Sequence, residues 1–261
     1  TAVLTLTFTD GSKLDVIKAG NAAATHDISV PGSAGSPGVT VVTTNNAQTG
    51  LDFFGEATAI GIEWHSAADF MADGLKISAS ISADDGAAAT TAVALESSWG
   101  LGATYVTSAG DTAITIGAGI ADSEFKDSAQ DAPSSNGFHV GFSAVTGDLT
   151  VAAGYANGDK VRATPEIAIF DNSVSKIGVK YVAGDVTLSV GYTSGAGKDS
   201  ATLGTAGTLE DAKDTTDAGI SYAVASGVTA ILGYTDVDSS DNGSNDTTDG
   251  SAWYIGANMS F

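Results

Sequence analysis

Short glycine-containing turns recur along this chain at a nearly constant spacing, and each is flanked by segments in which apolar and small polar residues alternate. The turns are centred on Gly74, Gly110, Gly147, Gly184 and Gly227, at intervals of 36, 37, 37 and 43 residues. Glycine suits these positions because tight hairpin turns require a positive φ. Alternation with a period of two is typical of β-strands. The pattern therefore predicts an all-β chain built from successive hairpins.

Longer polar stretches separate one predicted hairpin from the next. Two of them are "DSEFKDSAQDAPSS" and "DVDSSDNGSNDTTDG", which are rich in Asp and Ser. Short turns at one end of a sheet and long polar loops at the other are typical of transmembrane β-barrels. A solenoid with repeats of about 36 residues would not need this asymmetry.

The two faces of the predicted strands differ in a way that favours a membrane barrel over a soluble β-domain. Along one strand Leu149, Val151 and Tyr155 fall on one face, and Thr150 and Gly154 fall on the other. A soluble sandwich would carry Lys, Glu and Arg on its outer face. Here the polar face is small and nearly uncharged, which suits the wall of a water-filled barrel, while the apolar face suits lipid.

The strand pattern predicts one barrel domain over residues 1–261. Residues 2–20 resemble a further hairpin, "SPGVTVVTTNN" predicts another strand, and a strand near 26–30 completes a total of fifteen. Bacterial barrels normally have an even number of strands, so we expect about 16, the remaining one being missed or preceding Thr1. Eleven strands are predicted after residue 58, at 59–65, 75–83, 97–106, 111–120, 136–144, 149–157, 174–182, 186–194, 217–224, 228–236 and 252–261.

Composition excludes several other classes of function. The chain has 31 acidic and 10 basic residues and a net charge of -21, which repels nucleic acids. The sequence has no cysteine nucleophile, no G-x-S-x-G motif and no phosphate-binding glycine loop, so we expect no enzyme activity and no required cofactor. His26, His65 and His139 lack partners at zinc-ligand spacing.

The segments "VAGDVTLSVGYTSG", "ASGVTAILGYTDVD" and the terminal "AWYIGANMSF" resemble the general bacterial porins, most closely the acidic type of the alphaproteobacteria. The resemblance implies a trimeric barrel of 16 strands in the outer membrane, through which small hydrophilic solutes and ions diffuse. It also implies an inward-folded constriction loop, which we expect within residues 1–58, and a terminal strand recognised by the insertion machinery. Trp253, Ile255, Met259 and Phe261 match that terminal pattern.

The chain departs from this family in its basic residues and at its beginning. Arg162 is the only arginine, and the usual opening strand of the family is missing. Either the basic half of the constriction lies in an absent N-terminal segment, or the pore is built differently. We favour a chain whose first strand or strands precede Thr1.

The period-two rule turns seven polar side chains toward the predicted lumen, because apolar residues alternate with them. They are expected to set the electrostatic field of the pore, although each alone could be an ordinary solvated wall residue. Lys176 and Lys180 share one face of one strand and are the best candidates for a positive stripe. The predicted pore-lining residues are Glu63, His65, Lys76, Glu96, His139, Lys176 and Lys180.

Two further features leave alternatives open. Asp236, Asp238, Asp241 and Asp246 offer closely spaced oxygen ligands of the kind Ca²⁺ prefers, although a solvated external loop explains them more simply. A secreted or surface-layer β-protein or adhesin with Ca²⁺-binding acidic loops is therefore the main alternative, and a barrel acting only as an anchor or receptor is another. The tryptophans Trp64, Trp99 and Trp253 would form an aromatic girdle in a membrane barrel and core contacts in a soluble protein.

Overall fold

A computed structural model of the chain describes residues 2–17, 21–32, 61–83, 95–125, 135–161, 168–199, 209–241 and 246–260. Apart from one 3-10 turn at Ala24–His26, the regular structure within these ranges is entirely β. No helix in the described ranges is long and apolar enough to cross a membrane. The strands are β1 (Ala2–Thr7), β2 (Lys13–Ile17), β3 (Gly61–His65), β4 (Leu75–Ala83), β5 (Leu95–Ala109), β6 (Thr112–Phe125), β7 (Ser135–Thr146), β8 (Leu149–Val161), β9 (Ala168–Ala183), β10 (Val186–Asp199), β11 (Leu209–Ala225), β12 (Val228–Asp241) and β13 (Asp246–Met259).

All of these strands belong to one antiparallel sheet in which spatial order follows chain order. Each strand pairs with the strand before it and the strand after it, and β1 and β13 are the two outermost strands. The ladders are long: β10 and β11 pair without interruption from Val186↔Tyr222 to Asp199↔Leu209. This up-and-down meander confirms the predicted all-β antiparallel fold.

Glycine occupies the left-handed position of every short turn that the sequence predicted. The φ angles are +78° at Gly74, +60° at Gly110, +56° at Gly147, +61° at Gly184 and +74° at Gly227. Because the strands are antiparallel and the turns alternate with longer connections, these turns lie at one end of the sheet. We call this the short-turn end, and the opposite end the long-loop end.

The polar stretch "DVDSSDNGSNDTTDG" was wrongly predicted to be a long loop. Strand β12 continues to Asp241, which pairs with Asp246 at the start of β13, so only residues 242–245 lie between the two strands. Backbone hydrogen bonds hold an antiparallel ladder whether its side chains are apolar or polar. Polar composition marked the end of the apolar surface here, not the end of the strands.

The remaining strand predictions have mixed outcomes. The eleven strands predicted after residue 58 and the N-terminal hairpin correspond to β3–β13 and to β1 and β2. The strand predicted near 26–30 is wrong, since this stretch contains the end of the 3-10 turn and an extended segment outside the sheet. The strand predicted within 36–46 lies outside the described residues.

Burial in this sheet is the reverse of that in a soluble sandwich. The largest apolar side chains are exposed, among them Ile177 at 53% and Val190 at 51% of their maximal area. The buried apolar residues are mostly alanines, and buried serines such as Ser78 and Ser80 lie beside them. Large apolar side chains at the centre of a soluble core would be shielded from solvent, so the apolar face of this sheet requires an apolar exterior.

Candidate functional site

Residues 21–32 run across one face of the sheet from β4 to β10, and we call them the crossing segment. Ala22 donates its backbone N–H to Ser80 Oγ on β4 at 2.8 Å. Val30 packs on Ala156 and Val174 of β8 and β9, and both of these residues are completely buried. We call the face that carries this segment the inner face, and the opposite one the outer face.

The crossing segment packs closely against glycines on neighbouring strands. A Cβ at Gly102 would lie 2.5 Å from the carbonyl oxygen of Ala22, and one at Gly191 would lie 2.6 Å from that of Pro31. The glycines adjoin one another in the ladders, as in the pairs Gly102↔Gly119 and Gly178↔Gly191. Glycine allows this approach because it has no side chain. The seven glycines at which an added Cβ would meet residues 21–32 are Gly100, Gly102, Gly117, Gly119, Gly141, Gly178 and Gly191.

His26 anchors the segment to the wall through both of its ring nitrogens. Its Nδ1 lies 2.6 Å from Thr104 Oγ1 and its Nε2 lies 2.8 Å from Ser78 Oγ. The same Ser78 hydroxyl is 2.9 Å from His65 Nδ1 on β3. Burial, followed by the nearby charges of His65, His139 and Lys76, lowers the pKa of His26 from its ordinary 6.5 to about 4. The imidazole is therefore neutral near pH 7, with one nitrogen donating and the other accepting.

Two further side chains of the wall hold the segment. Thr25 donates its hydroxyl to Glu63 Oε1 on β3 at 2.8 Å. His139 Nε2 on β7 donates to the carbonyl oxygen of Ala23 at 2.7 Å, and its Nδ1 is 3.9 Å from Asp27 Oδ1. The 3-10 turn at Ala24–His26 is thus fixed from three strands.

The structure places six of the seven predicted pore-lining residues on the inner face, with different surroundings. Glu63 and His139 are 6% and 2% exposed because the crossing segment covers them. His65 is 3.2 Å from Asp15 Oδ2 and 3.8 Å from Glu63 Oε1. Lys76, Lys176 and Lys180 remain accessible on the inner face.

Glu96 departs from the simple alternation used to assign its face. The pairing of β5 with β6 shifts register between Leu95 and Ser97, so Glu96 is an extra residue in β5. Period-two arguments do not carry across such a bulge. Glu96 is exposed there, and its face is not fixed by the neighbouring strand.

The family resemblance implied an inward-folded loop within residues 1–58, but the sequence identified neither residues 21–32 as the segment on the wall nor His26 as its anchor. Residues 21–32 carry no periodic pattern, and their hydrogen-bond partners on the wall lie 38 to 116 residues away in the chain. The one signal in the sequence was the series of small residues on the inner strand positions, such as Gly102, Gly119 and Gly141. That series indicates that something approaches the wall closely, but not which segment does so.

The outer face changes from apolar to polar at one level of the sheet, and aromatic residues mark the change. On β5 Trp99 is followed toward the long-loop end by Ser97, and on β12 Tyr234 is followed by Asp236, which accepts a hydrogen bond from Tyr234 Oη at 3.1 Å. The same step occurs on six strands. Its aromatic residues, here called the aromatic row, are Trp99, Phe138, Tyr155, Tyr192, Tyr234 and Trp253.

The predicted girdle tryptophans are divided between the two ends of this apolar surface. Trp99 and Trp253 lie in the aromatic row, where Trp253 packs on Tyr234 with ring centroids 4.8 Å apart. Trp64 lies near the short-turn end of β3, with its ring 5.6 Å from that of Phe70. From Tyr155 down to Leu149 the apolar surface runs about 20 Å along the strand, at roughly 3.3 Å per residue.

The predicted assembly residues lie on the outer face of the last strand. Trp253, Ile255 and Met259 are 73%, 84% and 61% exposed. Phe261 lies outside the described residues.

The candidate Ca²⁺ ligands lie on strands and not in a loop. Asp236 and Asp238 share the outer face of β12, whereas Asp241 and Asp246 form the last pair between β12 and β13, with side chains outside the described set. Within the described ranges, no three His, Asp or Glu side chains are grouped so that they could hold a metal ion. Ca²⁺ binding by these residues remains a prediction.

Comparison with solved structures identifies the fold as that of outer-membrane β-barrels. OmpF of Salmonella typhi matches with a TM-score of 0.62 at 14% identity, over 97% of this chain and 76% of that one. A loop L8 deletion mutant of OmpT, an outer membrane protein of Vibrio cholerae, matches with a TM-score of 0.59 at 17% identity, over 95% and 75%. The outer membrane channel DcaP of Acinetobacter baumannii matches with a TM-score of 0.52 at 12% identity, over 85% and 69%.

The sequence comparisons give no family assignment. No protein-family model matches the sequence, and no curated protein matches it. The similarity is therefore one of fold.

Proposed function

We propose that this chain is an outer-membrane porin through which small hydrophilic solutes and ions diffuse passively along the inner face. The observation that carries this proposal is the outer face, whose exposed apolar side chains end at the aromatic row and give way to Ser, Asn and Asp. Transmembrane barrels have such an apolar band, with aromatic girdles at its borders. An aqueous exterior would offer no reason for this arrangement.

The inner face supplies the second half of the proposal. Its side chains are small or polar, as at Thr150, Thr187 and Ser221. The crossing segment takes the part of a constriction, because it occupies space on the inner face that a solute would otherwise use. Selection then depends on the free width beside this segment and on the charges next to it, and it involves no chemical step.

The proposal includes no enzyme activity and no required cofactor. It includes a homotrimer, since one form of the structurally similar OmpT from Vibrio cholerae is a trimer. It places the protein in the bacterial outer membrane, with the polar long-loop end outside and the short turns toward the periplasm. The partners are therefore lipid, other copies of the chain, and the passing solutes.

Planar-bilayer recording of detergent-purified protein tests the proposal. We expect stepwise conductance, swelling of protein-loaded liposomes in small sugars but not in large dextrans, and a folded band that shifts on boiling. A native gel run beside cross-linked samples reports the trimer. Protein that remains monodisperse without detergent, with Ca²⁺-dependent melting and no conductance, would instead support a secreted Ca²⁺-binding β-protein.

A further inference from the structure

The lysines of this strongly acidic chain are concentrated on its inner face. Six lysines have described side chains, and five of them point to that face. Lys13 and Lys76 lie on the inner face together with residues that hold or flank the crossing segment. Lys213 lies on the inner face together with Asp217. Lys176 and Lys180 lie on either side of Gly178, over which Pro31 lies. The sixth, Lys198, lies near the long-loop end of β10, beyond Tyr192 of the aromatic row.

Most acidic side chains of the described strands and turns lie elsewhere. Asp10, Asp69, Asp73, Asp111, Asp148 and Asp185 are exposed in the short turns. A second group lies on the outer face beyond the apolar surface, namely Asp122, Glu124, Asp159, Glu210, Asp214, Asp236, Asp238 and Asp249. Most described carboxylates that contribute to the net charge of -21 therefore lie near the two ends of the molecule and not on its inner wall.

The carboxylates that do lie on the inner face are mostly covered. The side chains of Asp15 and Glu63 are 16% and 8% exposed and are engaged with His65 and Thr25. Asp211 is 3% exposed. Asp27 is the more open one, with a side chain 35% exposed beside His139, and Asp217 is half-buried. The exposed inner charges include Lys13, Lys76 and Lys180.

Two of the lysines flank the point where the crossing segment contacts β9. Lys176 and Lys180 are each two residues from Gly178, which places them about 7 Å along the strand on either side of the crossing segment. Lys76 is two residues from Ser78, the hydroxyl that binds His26 on the same segment. A solute that moves along the inner face past the segment therefore passes ammonium groups before and after it.

We propose that the inner wall favours small anionic solutes, with Lys176 and Lys180 as the specificity-determining residues and Lys76 assisting from β4. The inference rests on the proposed porin function and names its preferred class of solute. Chloride, small carboxylates and phosphate share the required chemistry. Among the short-turn acidic residues, Asp148 comes close to Lys180, because its backbone carbonyl accepts from the N–H of Val182, two residues along β9. Lys176 lies about 20 Å from Val182 along the strand, beyond a Debye length of about 8 Å at physiological salt.

The test is the reversal potential of wild-type channels in a KCl gradient. An ion about 4 Å from one charge in water gains about 1 kcal/mol, so we expect a chloride-to-potassium permeability ratio of about 2 to 5. The ratio should fall toward 1 when salt rises from 0.1 to 1 M, because the Debye length shrinks from about 10 to 3 Å. A ratio below 1, or one that does not change with salt, would overturn the inference while leaving the porin proposal intact.

Matched variants locate the effect. Lys180→Glu should bring the ratio below 1, and Lys180→Gln should give an intermediate value. Lys198→Glu makes the same change of charge outside the inner face and should leave the ratio at its wild-type value. Equal shifts in Lys180→Glu and Lys198→Glu would contradict a filter on the inner wall. Each variant is compared only after its boiled and unboiled gel bands match the wild type, and an absence of conductance in the wild type itself would refute the porin function.

Discussion

The carbonyl oxygen of Pro31 lies over Gly178, in the space that a Cβ at position 178 would need. The two residues are far apart in the chain, and the contact joins the crossing segment to a central strand of the sheet. Gly191, the ladder partner of Gly178, meets the same proline. The end of the crossing segment is thus held by close packing of Pro31 against glycines, whereas its beginning is held by hydrogen bonds.

Adding one methyl group at this contact should weaken the packing of the crossing segment on the sheet. We expect Gly178→Ala to cost about 1–3 kcal/mol through overpacking, and to lower the temperature at which the folded gel band disappears. Gly256→Ala is the control, because a Cβ at Gly256 meets nothing within 4 Å. Equal losses in the two variants would mean that the general effect of replacing a strand glycine, and not the contact with Pro31, decides the change in stability.

Removing the imidazole of His26 should free the other end of the segment. His26→Ala deletes the contacts with Ser78 and Thr104, and a hydrogen bond contributes about 0.5–1.5 kcal/mol to stability. We expect higher conductance and more frequent conductance steps in single-channel recordings, with the sheet intact by circular dichroism. Thr112→Ala is a control that removes a hydroxyl from an exposed pair with Thr146, and conductance there should stay unchanged.

Acid should weaken the attachment of the crossing segment to the sheet through the same histidine, His26. The folded-state pKa of His26 is about 4, below its ordinary 6.5, so the unfolded state binds the proton first. Stability therefore falls as pH drops from about 6.5 to about 4 and changes no further below that range. Melting curves in detergent between pH 7 and 4 should show a larger decline for the wild type than for His26→Gln. Parallel declines would assign the acid sensitivity to other groups.

A charge on the outer face distinguishes a lipid-facing surface from a solvated one. Val190 is 51% exposed, so a lysine there would be harmless in a soluble protein. Against lipid, Val190→Lys should cost about 2–4 kcal/mol near the membrane midplane, measured by urea unfolding in lipid vesicles. Thr193→Lys, on the inner face of the same strand, should cost much less. Equal tolerance of both lysines would count against the membrane-spanning assignment.

Much of the fold followed from local patterns. Gly110 and Gly147 needed no knowledge of their neighbours to be placed in turns, since a tight hairpin requires a positive φ there. Alternation such as Leu149, Val151 and Tyr155 against Thr150 and Gly154 assigned both faces of β8, because side chains on a strand alternate. The face assignment failed at Glu96, because alternation is interrupted by a bulge. The strand prediction failed along the end of β12, because its polar composition was taken for a loop.

The sequence by itself determined most of the strands, their short turns and the faces of most strand side chains, because these depend on residues a few positions apart. Only the tertiary structure decided that residues 21–32 lie on a row of glycines and that His26 and His65 share the hydroxyl of Ser78. It also decided that Glu63 and His139 hold this segment, while Lys176, half-buried, and Lys180, exposed, lie on either side of it. These contacts join residues tens to more than a hundred positions apart, and no local periodicity encodes such distances.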